Sequence, residues 1–234
     1  MISRLAKLKK ELYNLADPRR ARISRRFFKT GKGEYGEGDI FLGIKVPQQR
    51  KIAIKYGNLD FNEIGKLLKD KIHECRFIAL IILIKKYQNA DWKGKKGIFN
   101  FYLRNSKRIN NWDLIDISAP KIVGDYLLNK DKKILYRLAR SKNLWQRRIA
   151  VLSTFSFIKN KQFKDVFRII EILLDDQHDL IHKATGWMLR EVGNMDLDQE
   201  EIFLKKHSSH LARTTLRYAI EKFNEKKRKK YLKK

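Results

Sequence analysis

The spacing of apolar residues predicts helices along nearly the whole chain. Apolar side chains recur at intervals of three and four residues, as on one face of a helix, most clearly within 144–158 and 180–192. The alternation typical of strands is almost absent. The pattern predicts helices at about 2–15, 18–30, 47–57, 61–69, 72–88, 92–103, 110–128, 131–140, 143–158, 162–174, 179–192, 197–206, 209–222 and 225–232.

A weak repeat indicates how these helices pack. Alanines that come shortly after a basic residue in a predicted helix occur at Ala79, Ala150, Ala184 and Ala219, at intervals of 71, 34 and 35 residues. Short connections also favour antiparallel neighbours. We therefore expect an all-α fold, an α-solenoid of HEAT or armadillo type with a concave basic groove, over residues 1–223. The alternative is an irregular helical bundle. Residues 224–234 are expected to form a frayed, solvated basic tail.

The glycine-rich segment has the form of a nucleotide-binding motif but lacks its context. Residues 31–36 read Gly-Lys-Gly-Glu-Tyr-Gly, yet neither a predicted strand nor a βαβ unit surrounds them. Glu34, Glu37 and Asp39 would also repel a phosphate. We interpret the segment as a loop that positions Phe41 and Leu42.

The charge points to a polyanionic partner. The chain has 234 residues, and 54 Lys and Arg against 26 Asp and Glu give a net charge of +28, while 43% hydrophobic residues suffice for a core. Nucleic acid is the first candidate, and an anionic membrane surface or simple solubility are the alternatives. Arginines inside apolar segments have fixed positions suited to phosphate. They are Arg76, Arg148, Arg190 and Arg217.

Several classes of protein and site are excluded or disfavoured. Cys75 is the only cysteine, which rules out a disulfide framework and a Cys-cluster metal site, and it is expected to be inert core. The histidine pairs 178/182 and 207/210 lack a third ligand, so no metal site is expected. With no long apolar stretch and no secretory signal, we expect a nucleoid-associated cytoplasmic monomer that needs no membrane or obligate protein partner.

One cluster stands out as candidate chemistry. Trp112 and Asp116 are four residues apart and share a helical face. Tandem arginines follow at Arg147 and Arg148, and a second tryptophan, Trp187, precedes Arg190 by one turn. A carboxylate on a phosphate-binding face suggests a catalytic role. The alternative, which spacing alone favours slightly, makes the tryptophans core anchors and pairs Asp116 with Arg148.

These motifs resemble the AlkD family of DNA alkylation repair glycosylases. The resemblance runs in order over about residues 15–223. It rests on Phe-Leu-Gly-Ile at 41–44 with Pro47 and Arg50, Asn-Trp-Asp at 111–113 with Asp116, Leu-Trp-Gln-Arg-Arg at 144–148, the segment 183–191 with its Gly-Trp-Met-Leu-Arg-Glu, and Arg-Thr-Thr-Leu-Arg-Tyr-Ala at 213–219.

The resemblance implies a HEAT-like solenoid that binds duplex DNA and hydrolyses the N-glycosidic bond of N3- and N7-alkylated purines without a cofactor. It implies that Asp116 is the catalytic carboxylate and that Trp112 and Trp187 face the lesion. Phe27 or Phe28 would supply an aromatic wall where relatives can have tyrosine, and Asn111 stands where the family often has tryptophan. The expected contacts to the DNA backbone are Arg148, Arg147, Lys183, Arg190, Arg213, Arg217 and Arg50.

A single carboxylate suits this chemistry. An alkylated purine that already carries a positive charge leaves without protonation, so no general acid is required, unlike in ordinary glycoside hydrolysis. The remaining task is to stabilise the sugar cation and orient one water, and Asp116 can do both. The family also contains paralogues that bind DNA without this chemistry. A non-catalytic protein that binds distorted or branched DNA, and a helical scaffold for proteins, therefore stay open as alternatives.

Overall fold

The computed structural model describes residues 3–233, which form helices joined by short loops. The helices are α1 Arg4–Asn14, α2 Pro18–Phe27, α3 Val46–Lys55, α4 Phe61–Leu68, α5 His73–Gln88, α6 Trp92–Arg104, α7 Trp112–Ala119, α8 Asp125–Leu127, α9 Lys133–Ala139, α10 Leu144–Lys159, α11 Lys164–Ile172, α12 Asp179–Met195, α13 Leu197–His207, α14 Arg213–Ala219 and α15 Glu225–Leu232. Short 3₁₀ turns lie at Ser106–Arg108 and Ile220–Lys222. In this part of the chain, no helix is long and apolar enough to span a bilayer.

The all-α prediction is confirmed, and each helix expected from the apolar spacing is present. Two helices begin later than predicted. The helix predicted from residue 110 starts at Trp112, because Asn111 accepts a hydrogen bond from the Trp112 N–H. The one predicted from residue 209 starts at Arg213. Within the described residues, β-structure is limited to an isolated parallel bridge between Ile40 and Ile72, which the apolar pattern did not predict.

A π-helical turn, Pro120–Gly124, joins α7 to α8 without a break. Proline has no N–H, so Pro120 cannot donate to the carbonyl of Asp116 four residues earlier. The Asp125 N–H donates to the Pro120 carbonyl five residues back, and Ser156 Oγ donates to the same carbonyl at 2.7 Å. The turn therefore inserts one extra residue between Asp116 and the later part of the helix.

The chain divides into two compact units, one up to Leu114 and one from Ile115 onward. In the first unit a loop between α2 and α3 is tied to α5. The buried Glu74 carboxylate accepts hydrogen bonds from the backbone N–H groups of Leu42, Gly43 and Ile44, at 2.8–3.3 Å. Phe41 and Leu42 are thereby held in the core, as predicted.

The glycine-rich part of that loop satisfies its own donors. Glu34 accepts the Gly31 N–H at 2.7 Å, and Glu37 accepts the Gly33 N–H at 2.9 Å. The amide groups that would cradle a phosphate in a nucleotide-binding loop are therefore already bonded to carboxylates, which supports the interpretation of this segment as a structural loop.

In the second unit, every second element along the chain packs on the next one of the same set. The π-turn packs against α10, α10 against α12, and α12 against α14. The helices α9, α11 and α13 alternate with them, and the α-solenoid expectation is confirmed. Ala150, Ala184 and Ala219, which mark the repeat, are fully buried.

Two glycines permit the closest of these approaches. A Cβ on Gly124 would lie 2.2 Å from the Ser153 carbonyl oxygen, and a Cβ on Gly186 would lie 2.4 Å from the Thr215 carbonyl oxygen. Both contacts are with backbone, which has little freedom to retreat. The packing distance between α12 and α14 therefore depends on the absence of a side chain at residue 186.

The C-terminal segment corrects an expectation, because it is a packed helix and not a frayed tail. Asn224 caps α15 by accepting the Lys227 N–H, and the buried Tyr231 ring meets Phe223 edge-on with centroids 5.9 Å apart. One aromatic anchor and one cap are sufficient to order a segment whose lysines are mostly solvated.

Candidate functional site

The carboxylate of Asp116 is held by a bidentate arginine in the second unit. Arg148 Nε lies 2.9 Å from Oδ1 and Nη2 lies 2.7 Å from Oδ2, while Nη1 donates to the Leu180 carbonyl at 2.5 Å. Asn143 caps α10 and sets Arg148 in its second turn. The side chains are 6% and 17% exposed for Arg148 and Asp116, so the carboxylate keeps some access to solvent.

This pairing is the alternative that the sequence left open for Asp116 and Arg148. It does not by itself decide between structure and catalysis, because a carboxylate has more acceptor sites than the two that Arg148 occupies. It does fix where the carboxylate points. Charge-assisted bidentate bonds of this kind are short and geometrically specific.

In the first unit, Trp112 is enclosed by aromatic residues of α2 and the following loop. Its ring stacks on Phe28 at 5.2 Å between centroids and meets the edge of Phe27 at 5.8 Å. Its indole Nε1–H donates to the Tyr35 hydroxyl at 3.3 Å. The Phe27 side chain is 63% exposed, whereas Trp112 is only partly so. The structure thus places Phe27 and Trp112, both predicted to face the lesion, in direct contact.

A buried charged network continues this aromatic stack. Phe41 stacks on the His73 ring at 4.5 Å, and that ring lies between two carboxylates, with Nε2 2.8 Å from Asp113 and Nδ1 3.6 Å from Asp39. Burial alone would lower the pKa of His73, but Asp113 and Asp39 outweigh it and raise that pKa above its usual value. His73 therefore ties the start of α7 to α5, and the two carboxylates favour its protonated form.

His73 and its neighbour Asp39 were not predicted as part of a site. The sequence did contain a signal for this cluster, because charged residues begin the otherwise apolar helix α5. Arg76 was predicted as a phosphate-binding side chain, and the structure corrects this. Its guanidinium lies 2.6 Å from the Asp39 carboxylate and donates to the Asp70 and Lys71 carbonyls, so it is buried within the protein.

Trp187 in the second unit has a separate set of neighbours. Its indole Nε1–H donates to Glu191 Oε1 at 3.1 Å, one turn later on α12, and its ring lies 6.2 Å from that of Phe155. Lys159 reaches Glu191 at 3.5 Å and lies over the Phe155 ring. Trp187 is therefore half-buried among an aromatic ring and an ion pair, a set of contacts distinct from those of Asp116.

Comparison with known proteins gives these features a family context. A family model described as DNA alkylation repair enzyme matches residues 8–223. The chain belongs to the DNA alkylation repair enzyme family. Membership indicates a role in DNA repair and implies a DNA substrate. A solved structure of a predicted DNA alkylation repair enzyme from Enterococcus faecalis is similar over 90% of this chain and 97% of its own, with a TM-score of 0.70 and 15% identity.

That structural likeness shows the fold. Curated protein sequences yield no match to the chain.

In this member of the DNA alkylation repair enzyme family, most cations predicted to contact DNA are engaged within the protein. Arg147 lies 2.6 Å from Asp176, Lys183 lies 2.6 Å from Asp179, and Arg190 pairs with Glu221. Arg213 is exposed and donates to the Leu232 carbonyl at 2.8 Å. Arg50 and Arg217 are exposed to solvent. A basic groove that would gather these side chains stays a prediction.

The single cysteine of this family member is a core residue, as expected. Cys75 is fully buried, and burial raises the pKa of its thiol to about 12, so the nucleophilic thiolate is disfavoured. Within residues 3–233, histidine, cysteine and carboxylate side chains form no group of three that could hold a metal ion.

Proposed function

We propose that this protein is a monofunctional DNA glycosylase that hydrolyses the N-glycosidic bond of cationic N3- and N7-alkylated purines in duplex DNA. The observation that carries the proposal is the Asp116 carboxylate, which is oriented by two hydrogen bonds from Arg148 and retains partial exposure. Membership of the DNA alkylation repair enzyme family supports it.

The chemistry requires little beyond an oriented carboxylate. As a positively charged purine leaves, positive charge develops on the sugar, and a nearby carboxylate stabilises that charge. The same carboxylate accepts a proton from the attacking water. The base leaves as a neutral purine, and the hydroxyl group of the water bonds to the sugar. Arg148 orients Asp116 before the reaction, and a preorganised group needs no rearrangement as charge develops.

Aromatic rings suit recognition of the charged base. Phe28 occupies one face of Trp112, and Phe27 lies at its edge. A cationic purine placed against an indole gains a cation–π attraction that a neutral purine lacks, of about 0.5–2 kcal/mol. Trp112 is therefore proposed to recognise the charge of the damaged base.

The second candidate function is non-catalytic binding of distorted or branched DNA. It is favoured by the bidentate pairing of Asp116 with a buried arginine, which is what a structural ion pair would show. Under this alternative the charge of the chain serves DNA binding alone.

Release of base from a duplex with a single 7-methylguanine separates the two candidates. We expect the wild-type protein to release the base and Asp116→Asn to lower the single-turnover rate at least about 100-fold, since the oriented negative charge is lost. Binding to undamaged duplex should be retained. A wild-type protein that binds this duplex but releases no base would contradict the glycosylase proposal and support the alternative.

Asp176→Asn is the matched control. Asp176 is also a buried aspartate bonded to an arginine, Arg147, in the same unit. Any loss of activity that reflects only a weakened ion pair should appear in both variants. A comparable loss in Asp176→Asn would therefore remove the argument for Asp116.

A further inference from the structure

The helix α2 carries a concentration of exposed arginine outside the contacts described for the candidate site. Five of its ten residues are arginines, and all five side chains are exposed: Arg19, Arg20, Arg22, Arg25 and Arg26. Across residues 3–233, no carboxylate lies within ion-pair distance of any of them. The contrast with Arg147, Arg148 and Arg190 is direct, because those three are paired with acids.

Three of these arginines form a row. Arg19, Arg22 and Arg26 are separated by three and four residues, so they share one face of α2. Ala21, the buried residue of the helix, lies on the opposite face. The row extends over about 10 Å, which corresponds to the rise of about three nucleotides along one strand.

This arrangement is unfavourable for the isolated protein. Like charges three and four residues apart repel each other, and cations near the N-terminal end of a helix oppose its dipole. Asp17 is the one acidic group at that end, and its carboxylate caps the helix by accepting the Arg20 N–H. A row of phosphates would convert the repulsion into attraction.

The helix also leads directly to the aromatic cluster of the candidate site. α2 ends at Phe27, whose ring contacts that of Trp112 at 5.8 Å. Arg26 is its neighbour in the chain. A phosphate bound by the last turn of α2 would therefore bring the adjoining nucleotide close to the aromatic residues.

We propose that α2 is a binding element for the sugar–phosphate backbone of duplex DNA, with Arg19, Arg22 and Arg26 contacting successive phosphates. The proposal rests on the proposed function in one respect, that the substrate is a DNA duplex. Each guanidinium presents a planar fork that matches phosphate oxygens, and such contacts fix the position of the protein on the duplex without reading its sequence.

An anionic membrane surface is the competing occupant, and the composition of α2 disfavours it. Only two large apolar side chains of this helix are exposed, Ile23 and Phe27. An interfacial helix needs a continuous apolar face to enter the bilayer, and two side chains on a ten-residue helix do not provide one.

The salt dependence of binding to an undamaged duplex tests the proposal. The triple variant R19Q/R22Q/R26Q should lower the magnitude of the slope of log K against log salt by about 2–3, since each lost phosphate contact removes about 0.9. Affinity at 0.1 M salt should fall at least about tenfold. The triple variant K133Q/K164Q/K205Q removes the same charge from exposed positions on α9, α11 and α13, and its slope should change by less than about 1.

A third variant separates charge from structure. R19K/R22K/R26K keeps the cations and should retain the wild-type slope, because lysine also neutralises phosphate. An equal change in slope for both Gln variants would overturn the proposal, as would loss of the slope in the lysine variant. Arginine-dependent binding to vesicles of anionic phospholipid, with DNA binding unchanged in R19Q/R22Q/R26Q, would overturn it in favour of a lipid surface.

The readout does not depend on base release. A protein that releases no alkylated base but shows the arginine-dependent slope retains this inference and loses the glycosylase proposal. One that releases base with an unchanged slope in R19Q/R22Q/R26Q loses this inference alone.

Discussion

Arg148 joins Asp116 to the start of α12, because one guanidinium bonds both carboxylate oxygens of Asp116 and the backbone carbonyl of Leu180. The side chain belongs to α10, so residues of α7, α10 and α12 meet at it. The acid proposed for catalysis is therefore also part of the packing of its unit. Variants at this position have to be assessed for stability and activity together.

Arg148→Ala should destabilise the protein by about 2–4 kcal/mol, since it removes the charged partner of a partly buried carboxylate and the hydrogen bond from α10 to the Leu180 carbonyl. The free energy of unfolding from denaturant titration measures this. Arg137→Ala, at an exposed position of α9, is the control and should change it by less than about 0.5 kcal/mol. An effect at Arg148 as small as the control's would show that the ion pair contributes little.

Glu200 should make stability fall as the pH rises. Burial raises the pKa of this carboxyl to about 8, against the opposing effects of Lys227 and Arg190. Because the folded-state pKa lies above the unfolded one, the folded protein binds the extra proton, and stability is lost between about pH 4.5 and 8.

Glu200→Gln removes the loss of stability that ionisation of Glu200 causes at high pH. The variant should match the wild type near pH 4, where both forms of residue 200 are neutral, and should be more stable by about 2–4 kcal/mol at pH 8. Thermal or urea unfolding at the two pH values checks this. A variant with the same advantage at pH 4 and pH 8 would show that ionisation of Glu200 is not the cause.

Gly186→Ala should destabilise the packing of α12 on α14 by about 2 kcal/mol or more, since the new Cβ would meet the Thr215 carbonyl oxygen at 2.4 Å. Gly97→Ala in α6 is the matched control, because a Cβ there meets nothing within 4 Å. Alanine is the better helix former, so this second change should stabilise by about 0.5–1 kcal/mol. Opposite shifts in the unfolding midpoint are the expected result, and shifts of the same sign would refute the packing argument.

Trp112→Leu should lower the rate of 7-methylguanine release by about 2- to 30-fold, the equivalent of one lost cation–π contact. Affinity for undamaged duplex should change little, because the indole recognises charge on the base. Trp92→Leu is the control, since Trp92 is an exposed tryptophan on α6. An equal loss of activity in both variants would show that Trp112 has no role in recognising the lesion. The same conclusion would follow if Trp112→Leu lost as much affinity for undamaged duplex as for damaged duplex.

The sequence predicted the helices well because their apolar spacing is strong and their caps are local. It also singled out Trp112 and Asp116 on one helical face, and it left open the pairing of Asp116 with Arg148 that the structure shows. It could not predict that Asp39, Asp113 and His73 form one buried cluster, because their pairing depends on how a loop folds back on α5. Nor could it show that Arg147 and Arg190 are bound to acids while the arginines of α2 are not, since partners about 30 residues apart leave no periodic signal.

The π-turn at Pro120 makes the local helix geometry, and not only residue identity, part of the site. The π-turn uses one residue more than an α-helix for the same rotation, and an α-helix advances about 100° per residue. A change at Pro120 that let this segment revert to a regular α-helix of the same length would therefore swing the Asp116 carboxylate about a quarter-turn around the helix axis relative to Gly124, which packs on α10. Every side chain named in the site would still be present. A gene altered at that one codon would keep the whole motif and aim its acid in the wrong direction, so the motif alone does not identify a working copy.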